Sequence, residues 1–455
     1  MSDQVRPEAV GAAEADDLQR RAAAWLLRSG AGPGDRIGVC VPGSAAQLAL
    51  IGGALRAGVV PVVVNPLLTA SERSVIATDC RPMAWLDDAA AVHRALSGEP
   101  VPPGGISPVP LGRPMHYTSG TTGVPKGVWS GVLDAAEAEA LWGEEIDLWS
   151  FTPADVHLTC SPLQHSAPIR FALATWLAGG SVIVQQKFSA ATLRDAVEIL
   201  RPTTTFCTPA HLQRLDEIGD LVALAPLRQV VHAGSACPPP LKMRAIEAIG
   251  RDALWEFYGS TEGAFTVCSS DDWATHPGTV GRPRPGRSIS VDPDGTVWCE
   301  PPSWARWSYW GDPDRTAAAW RGSSFTVGDL GRIDRDGFLF LEGRRSDLII
   351  TGGVNVYPAE VEACLAGVDG VDDVVVFARP DERWGHRVCA AYSGTRAPDD
   401  VAAAIRDRLA PFKMPKEFHL VAGIPRTGMD KVSRTRMAEM LGLEPVTTRG
   451  GSRVD

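Results

Sequence analysis

Short, valine-rich runs separated by helical stretches constrain this chain more than any other feature. Ile37 to Val41 and Val59 to Val64 are apolar almost throughout, and a helical segment begun by Ser44 and closed near Gly58 lies between them. A strand that is apolar on both faces must be covered on both, so the unit predicts a parallel sheet sandwiched by helices. A helical bundle with apolar linkers fits poorly, because the runs are short and rich in a β-branched residue. The same texture returns at Ser181 to Val184, Thr203 to Cys207 and Gln229 to His232, while Leu18, Ala22, Trp25 and Leu26 recur at helical spacing ahead of Gly30 and Pro33.

A chain of 455 residues exceeds one ordinary hydrophobic core and predicts two or three domains. Residues 98–114 are too rich in Pro and Gly for regular structure and read as a surface connector. After about Arg344 the texture becomes that of a small C-terminal domain. It has strands at Val374 to Ala378 and Val388 to Tyr392, and helices at Ala359 to Leu365 and Val401 to Leu409. The last residues, TTRGGSRVD, read as frayed.

The net charge of −10 offers no basic footprint for nucleic acid, so an anionic ligand must be held by local donors and a metal. The nine cysteines are scattered without metal-ligand spacing and read as reduced, mostly buried residues. The N-terminus is acidic rather than secretory, and the apolar stretch Ala45 to Val64 is interrupted by Arg56 and Pro61, which excludes a membrane span. A cytoplasmic location is the expectation by elimination.

The densest chemical signal is Tyr117-Thr-Ser-Gly-Thr-Thr-Gly-Val-Pro-Lys126-Gly-Val. Closely packed hydroxyls and glycines followed by one lysine suit a loop whose backbone approaches a polyphosphate. The spacing is not that of a Walker A loop, since no Ser or Thr follows Lys126. Further along, Glu256-Phe-Tyr-Gly-Ser-Thr-Glu262 sets a ring beside small residues and a carboxylate, a pattern able to stack a base and place a Mg2+ ligand. Alone it reads equally as a strand end with a solvated acid, and Gly234-Ser235-Ala236 alone is an ordinary turn. The stretch Thr326-Val-Gly-Asp329-Leu-Gly-Arg-Ile-Asp-Arg-Asp-Gly337 is followed by Gly343-Arg344, and within it Asp334 to Gly337 reads as a hairpin turn. Lys431, late in Pro425-Arg-Thr-Gly-Met-Asp-Lys, could close over a site and neutralise charge on a carboxylate and a phosphate.

In this order and spacing the segments resemble the adenylate-forming superfamily of acyl-CoA synthetases, peptide-synthetase adenylation domains and luciferases, over nearly the whole chain. The resemblance implies a large N-terminal α/β domain of stacked sheets and helices (residues 1–343), a hinge near 344–347 and a small mobile α+β C-terminal domain (347–455). It implies ATP held by Thr118, Ser119, Gly120, Thr121, Thr122, Gly123 and Lys126 at the phosphates. The adenine would meet Gly234, Ser235 and Ala236 at its edge and Tyr258 on its face, with Gly259 and Ser260 alongside. Asp329 and Arg344 would hold the ribose. Thr261 is placed at the α-phosphate, Glu262 and Thr118 at Mg2+, and Lys431 acts as the catalytic lysine with Glu262 and Thr261. The glycine loop would give Gly352 and Gly353 to a coenzyme A tunnel.

Two positions depart from the pattern: Ser346 stands at a hinge site commonly Asp or Lys, and Asp430 stands where Gly is usual. The segment Ser161-Pro-Leu-Gln-His165-Ser-Ala-Pro-Ile-Arg170 resembles the border of the acid pocket, so His165, Arg170 and Gly259 are the substrate-facing candidates. No Asp sits where amino-acid-activating relatives hold an ammonium group, which favours a fatty or aryl acid. ATP, Mg2+ and coenzyme A are the implied partners. Nitrite activation, transfer to a carrier protein or amine, and a silent ATP-binding scaffold stay open as alternatives. The chain is compact against the family, with a shorter N-terminal lobe, and a homodimer is one option for its assembly.

Overall fold

The computed structural model describes residues 9–118, 125–186, 188–344, 347, 349–351, 354–381, 384–409, 411–426 and 432–443. Helix α1 (Ala12–Arg28) leads into strand β1 (Arg36–Val39), helix α2 (Ala45–Arg56) and strand β2 (Val60–Val63), and β1 and β2 pair in parallel as expected. Ser44 starts α2 as an N-cap, its side chain accepting from the Gln47 N–H. Helix α2 is buried almost all round because it crosses α1 on one side and faces the central layers on the other. The crossing is tight at Gly53, where a Cβ would lie 2.3 Å from the Gln19 carbonyl oxygen.

The connector of residues 98–114 has no regular structure, yet it is pinned by Arg56 Nε to the Ser107 carbonyl (2.7 Å) and Trp142 Nε1 to the Pro110 carbonyl (2.8 Å). It delivers the chain to an antiparallel hairpin of β3 (His116–Thr118) and β4 (Lys126–Trp129). Helix α3 (Ala135–Trp149) follows, and then β5 (Val156–Thr159), α4 (Ser166–Leu177), β6 (Ser181–Val184), β7 (Thr204–Cys207), β8 (Gln229–His232), α5 (Pro239–Ile249), β9 (Leu254–Gly259) and β10 (Ala264–Ser269).

These strands form an eight-stranded sheet in the order Ala9–Gly11, β6, β5, β7, β8, β9, β10, Arg282–Pro283. Neighbours from β6 to β9 are parallel, and the outer pairs are antiparallel. The main core lies between this sheet, α2, α3 and α4, around Trp142, Trp149 and Phe171. Seven of the nine cysteines are buried and all are free thiols. Among the described residues no helix is long and apolar enough to cross a membrane.

Beyond β10 the chain builds small antiparallel sheets and then the ribbon of β11 (Asp329–Ile333) and β12 (Leu339–Arg344), turned through Asp334 to Gly337 as expected. The small C-terminal part carries α6 (Pro358–Ala366), β13 (Val371–Asp381) and β14 (Gly385–Gly394) around its own core. The fold is therefore mixed α/β, with a large N-terminal and a small C-terminal domain. One expectation fails locally. The helix anticipated over Val401 to Leu409 is Pro398–Ile405, and residues 406–409 continue as turns ahead of Pro411, which disfavours helical backbone before it.

Candidate active site

The β3–β4 hairpin supplies the first part of the site. Antiparallel register sets Thr118 opposite Lys126, so the two ends of the hydroxyl-rich loop are held side by side. Ser119, Gly120, Thr121, Thr122 and Gly123, expected at the phosphates, lie outside the described residues. β4 also pairs with Ser308–Tyr309, placing Tyr309 against Val128 and its hydroxyl beside the lysine. Lys126 Nζ donates to the Tyr309 hydroxyl at 2.8 Å, and that hydroxyl donates to Glu262 Oε1 at 2.9 Å. Lys126 and Glu262 are also 3.6 Å apart as an ion pair. Three residues spread over 183 positions of the chain thus form one relay. Sequence reasoning found Lys126 and Glu262 but missed Tyr309, which sits in no recognisable motif.

Glu262 is 5% exposed and lies in the turn between β9 and β10, closed by the Ser260 N–H donating to the Gly263 carbonyl at 2.8 Å. Here the register shifts at Tyr258/Gly259, and Gly259 is close enough to the Gly263 carbonyl that a Cβ would meet it at 2.9 Å. Thr261 is half-buried in the same turn. The hydroxyls of Thr118 and Ser260 are buried and have no partner among the described residues. Buried oxygens without a partner beside a carboxylate fit a hard cation or a phosphate, and the donor set suits Mg2+.

The nucleoside candidates come together as well. The Tyr258 hydroxyl donates to Asp329, its ring packs on Phe265 at 4.7 Å between centroids, and Arg344 is the backbone register partner of Asp329. Gly234, Ser235 and Ala236 form the exposed loop from β8 to α5, with Gly234 at φ +102°. Beneath that loop is a cluster the motifs did not announce. Lys242, fully buried on α5, donates to Glu256 at 3.2 Å and to His232 Nε2. Burial, then the ammonium, holds His232 well below the usual imidazole range and keeps it a neutral acceptor. Burial raises the Glu256 carboxyl, and Lys242 opposes the rise.

His165 is the N-cap residue of α4, without a side-chain cap bond to the helix. Arg170, one turn further in, is 9% exposed, and its Nη1 donates to Glu145 on α3 at 2.9 Å. Arg170 is therefore tied into the protein rather than standing open to a ligand, although its Nε has no partner among the described residues. His116 on β3 is buried nearby. Burial and then His165 push its imidazole down to about 3, against an opposing Gln164 main chain and with a smaller addition from Arg113 and Arg170. Gly352, Gly353, Ser346 and Lys431 lie outside the described residues.

Comparison with known proteins gives the same outline. The model of a family described as AMP-binding enzyme matches residues 6–107 and 114–301, and that of the AMP-binding enzyme C-terminal domain matches 360–431. The chain is 30% identical to the fatty acid–[acyl-carrier-protein] ligase ScoC of Streptomyces coeruleorubidus, covering 92% of this chain and 89% of that protein. It is 29% identical to the long-chain-fatty-acid–CoA ligase FadD13 of Mycobacterium tuberculosis, covering 94% and 92%. Among solved structures, ATP-bound MatB from Rhodopseudomonas palustris superposes with a TM-score of 0.83 at 27% identity, covering 94% of this chain and 93% of that one.

Proposed function

Since the chain belongs to the AMP-binding enzyme family of AMP-forming ligases, we propose that it converts a carboxylic acid to its acyl-adenylate and passes the acyl group to coenzyme A. The observation that carries this is the relay of Lys126, Tyr309 and Glu262 at the mouth of the β3–β4 loop. The acid's carboxylate attacks the α-phosphorus of ATP, the bond to the bridging oxygen breaks, and pyrophosphate leaves. The thiol of coenzyme A then attacks the acyl carbon, AMP departs with the bonding pair, and the thiol proton goes to solvent.

The first step brings two anions together, so its barrier depends on positioning and charge neutralisation. Glu262 and Thr118 would hold Mg2+, which when bound offsets phosphate charge. Lys126 and the loop hydroxyls grip the phosphates, and Thr261 meets the α-phosphate. Tyr258 and the Gly234–Ala236 loop receive adenine, with Asp329 and Arg344 at the ribose. Lys431, from the small domain, closes over the reacting carboxylate. Pivoting near residues 344–347, with Gly352 and Gly353 lining the thiol path, would then exchange one half-reaction for the other. The curated relatives named above are ligases of carboxylic acids, which favours a carboxylate over nitrite as the activated anion.

Pyrophosphate release with a panel of fatty and aromatic acids, with and without coenzyme A, tests the reading. Acid-dependent pyrophosphate and coenzyme A-dependent AMP are expected. Pyrophosphate that requires nitrite and an arylamine, or none with any acceptor, would overturn it.

A further inference from the structure

Lys242 is a costly residue to keep where it stands. It is fully buried, and it lies near the start of α5, the end of a helix that is already positive. An ammonium can only donate, so His232 Nε2 accepts and the imidazole proton is left on Nδ1, which is buried without a partner among the described residues. The same ammonium donates to Glu256 at 3.2 Å. Well-packed apolar side chains would hold a core together here with less desolvation, so stability alone is a poor account of the cluster.

What the three residues share is their place in the chain. His232 ends β8 two residues before Gly234, and Glu256 on β9 stands two before Tyr258. They are register partners on neighbouring parallel strands, so the sheet already fixes one against the other. The sheet does not fix α5. The Gly234–Ala236 loop is exposed, and none of its three residues donates its N–H to another backbone group among the described residues. At its far end Pro238, Pro239 and Pro240 run without a break into α5, and each ring locks φ. A shift of α5 is therefore carried along a stiff link to the loop. Lys242, two residues past Pro240, is the side chain that ties α5 to both strands.

Resting on the adenylating reading above, we propose that Lys242 is a positioning residue for the nucleotide: by tying α5 to His232 and Glu256 it sets the distance between the Gly234–Ala236 loop and Tyr258, the slot assigned above to adenine. It acts through the loop rather than on a ligand.

The test measures ATP and GTP binding to the full chain by calorimetry, and the KM for each nucleotide in pyrophosphate release at saturating acid from the panel above. Lys242→Met alone leaves the Glu256 carboxyl buried without its cation and should melt early, so the informative variant is Lys242→Met with Glu256→Gln, which removes both charges together. A second variant, Pro238→Gly with Pro239→Ala, loosens the link on an exposed segment and leaves the cluster whole. Both should raise Kd and KM for ATP about 10-fold and lower the preference for ATP over GTP by about as much, with the KM for the acid and kcat at saturating ATP changed less than about 3-fold. A folded Lys242→Met/Glu256→Gln protein with unaltered ATP affinity and preference would overturn the inference, as would a loss confined to kcat. Unaltered ATP binding in the Pro238→Gly/Pro239→Ala protein would overturn it too, whether or not the first variant folds. If the unmodified protein binds ATP but releases no pyrophosphate with any acid, the adenylating reading falls, and the binding measurements still decide the role of Lys242.

Discussion

Tyr309 joins Lys126 to Glu262 through one hydroxyl that accepts from the ammonium and donates to the carboxylate. Tyr309→Phe keeps the ring and its buried packing on Trp307 but breaks both bonds, leaving Lys126 and Glu262 to their longer contact of 3.6 Å. Hydrogen bonds to charged groups are worth more than neutral ones, so pyrophosphate release should fall about 10- to 100-fold while the melting temperature changes little. Lys431→Ala should fall further, roughly 10²- to 10³-fold, if that lysine is the preorganised donor at the reacting carboxylate. Its signature is selective. Transfer from chemically supplied acyl-adenylate to coenzyme A should be nearly unchanged in a stopped assay, and equal loss of both half-reactions would refute the assignment.

Helices α1 and α2 pack so closely that the contact leaves no room for a side chain at Gly53. An added Cβ would sit 2.3 Å from the Gln19 carbonyl and 2.8 Å from Ala22 Cβ, and a backbone atom in a helix cannot swing aside. Gly53→Val should therefore destabilise the large domain by about 3 kcal/mol, read as a lower urea midpoint. Removing the α2 cap is milder. Ser44→Ala deletes the acceptor for the Gln47 N–H and should cost about 1 kcal/mol. An Ser44→Ala loss as large as that of Gly53→Val would mean that α2 depends on its terminus rather than on its crossing.

Across the molecule, buried histidines set how stability responds to acid. Burial pushes His116 and His157 down to about 3, and burial followed by Arg214 brings His211 to about 4, against an ordinary value of 6.5. The unfolded chain takes up these protons below about pH 6.5 and the folded chain does not. Their contribution is thus fully present above pH 6.5 and is lost progressively as the pH falls toward 3. With these three and His232, which burial and then Lys242 hold well below 6.5, the steepest loss approaches roughly 5 kcal/mol per pH unit near pH 5. Glu145 adds a later loss. Burial opposes its ionisation, but Arg170 and Arg284 hold it at about 2, so its share disappears between about pH 4.5 and 2. Unfolding free energies measured from pH 7 to 4 should decline along this course, and His157→Asn should flatten the slope by about a quarter. A flat profile above pH 4 would contradict buried neutral histidines.

Local chemistry made much of this legible in the chain itself. Val-rich runs cannot be left exposed on either face, so the parallel sheet followed from those runs and their spacing, and the start of α2 at Ser44 and the Asp334–Gly337 turn followed from residue type and position. The motifs also announced Tyr258, Asp329 and Glu262, because each belongs to a contiguous segment. What only the tertiary structure decided are contacts between segments that carry no signal apart. Tyr309 reaches Lys126 because β4 pairs with residues 308–309, Lys242 lies under the Gly234–Ala236 loop because α5 packs on β8 and β9, and Arg113 meets Arg170 because a connector without regular structure ends beside α4. A sequence specifies which groups are available. The distance between groups far apart in the chain is set by packing, and charge at a few ångströms depends on that distance.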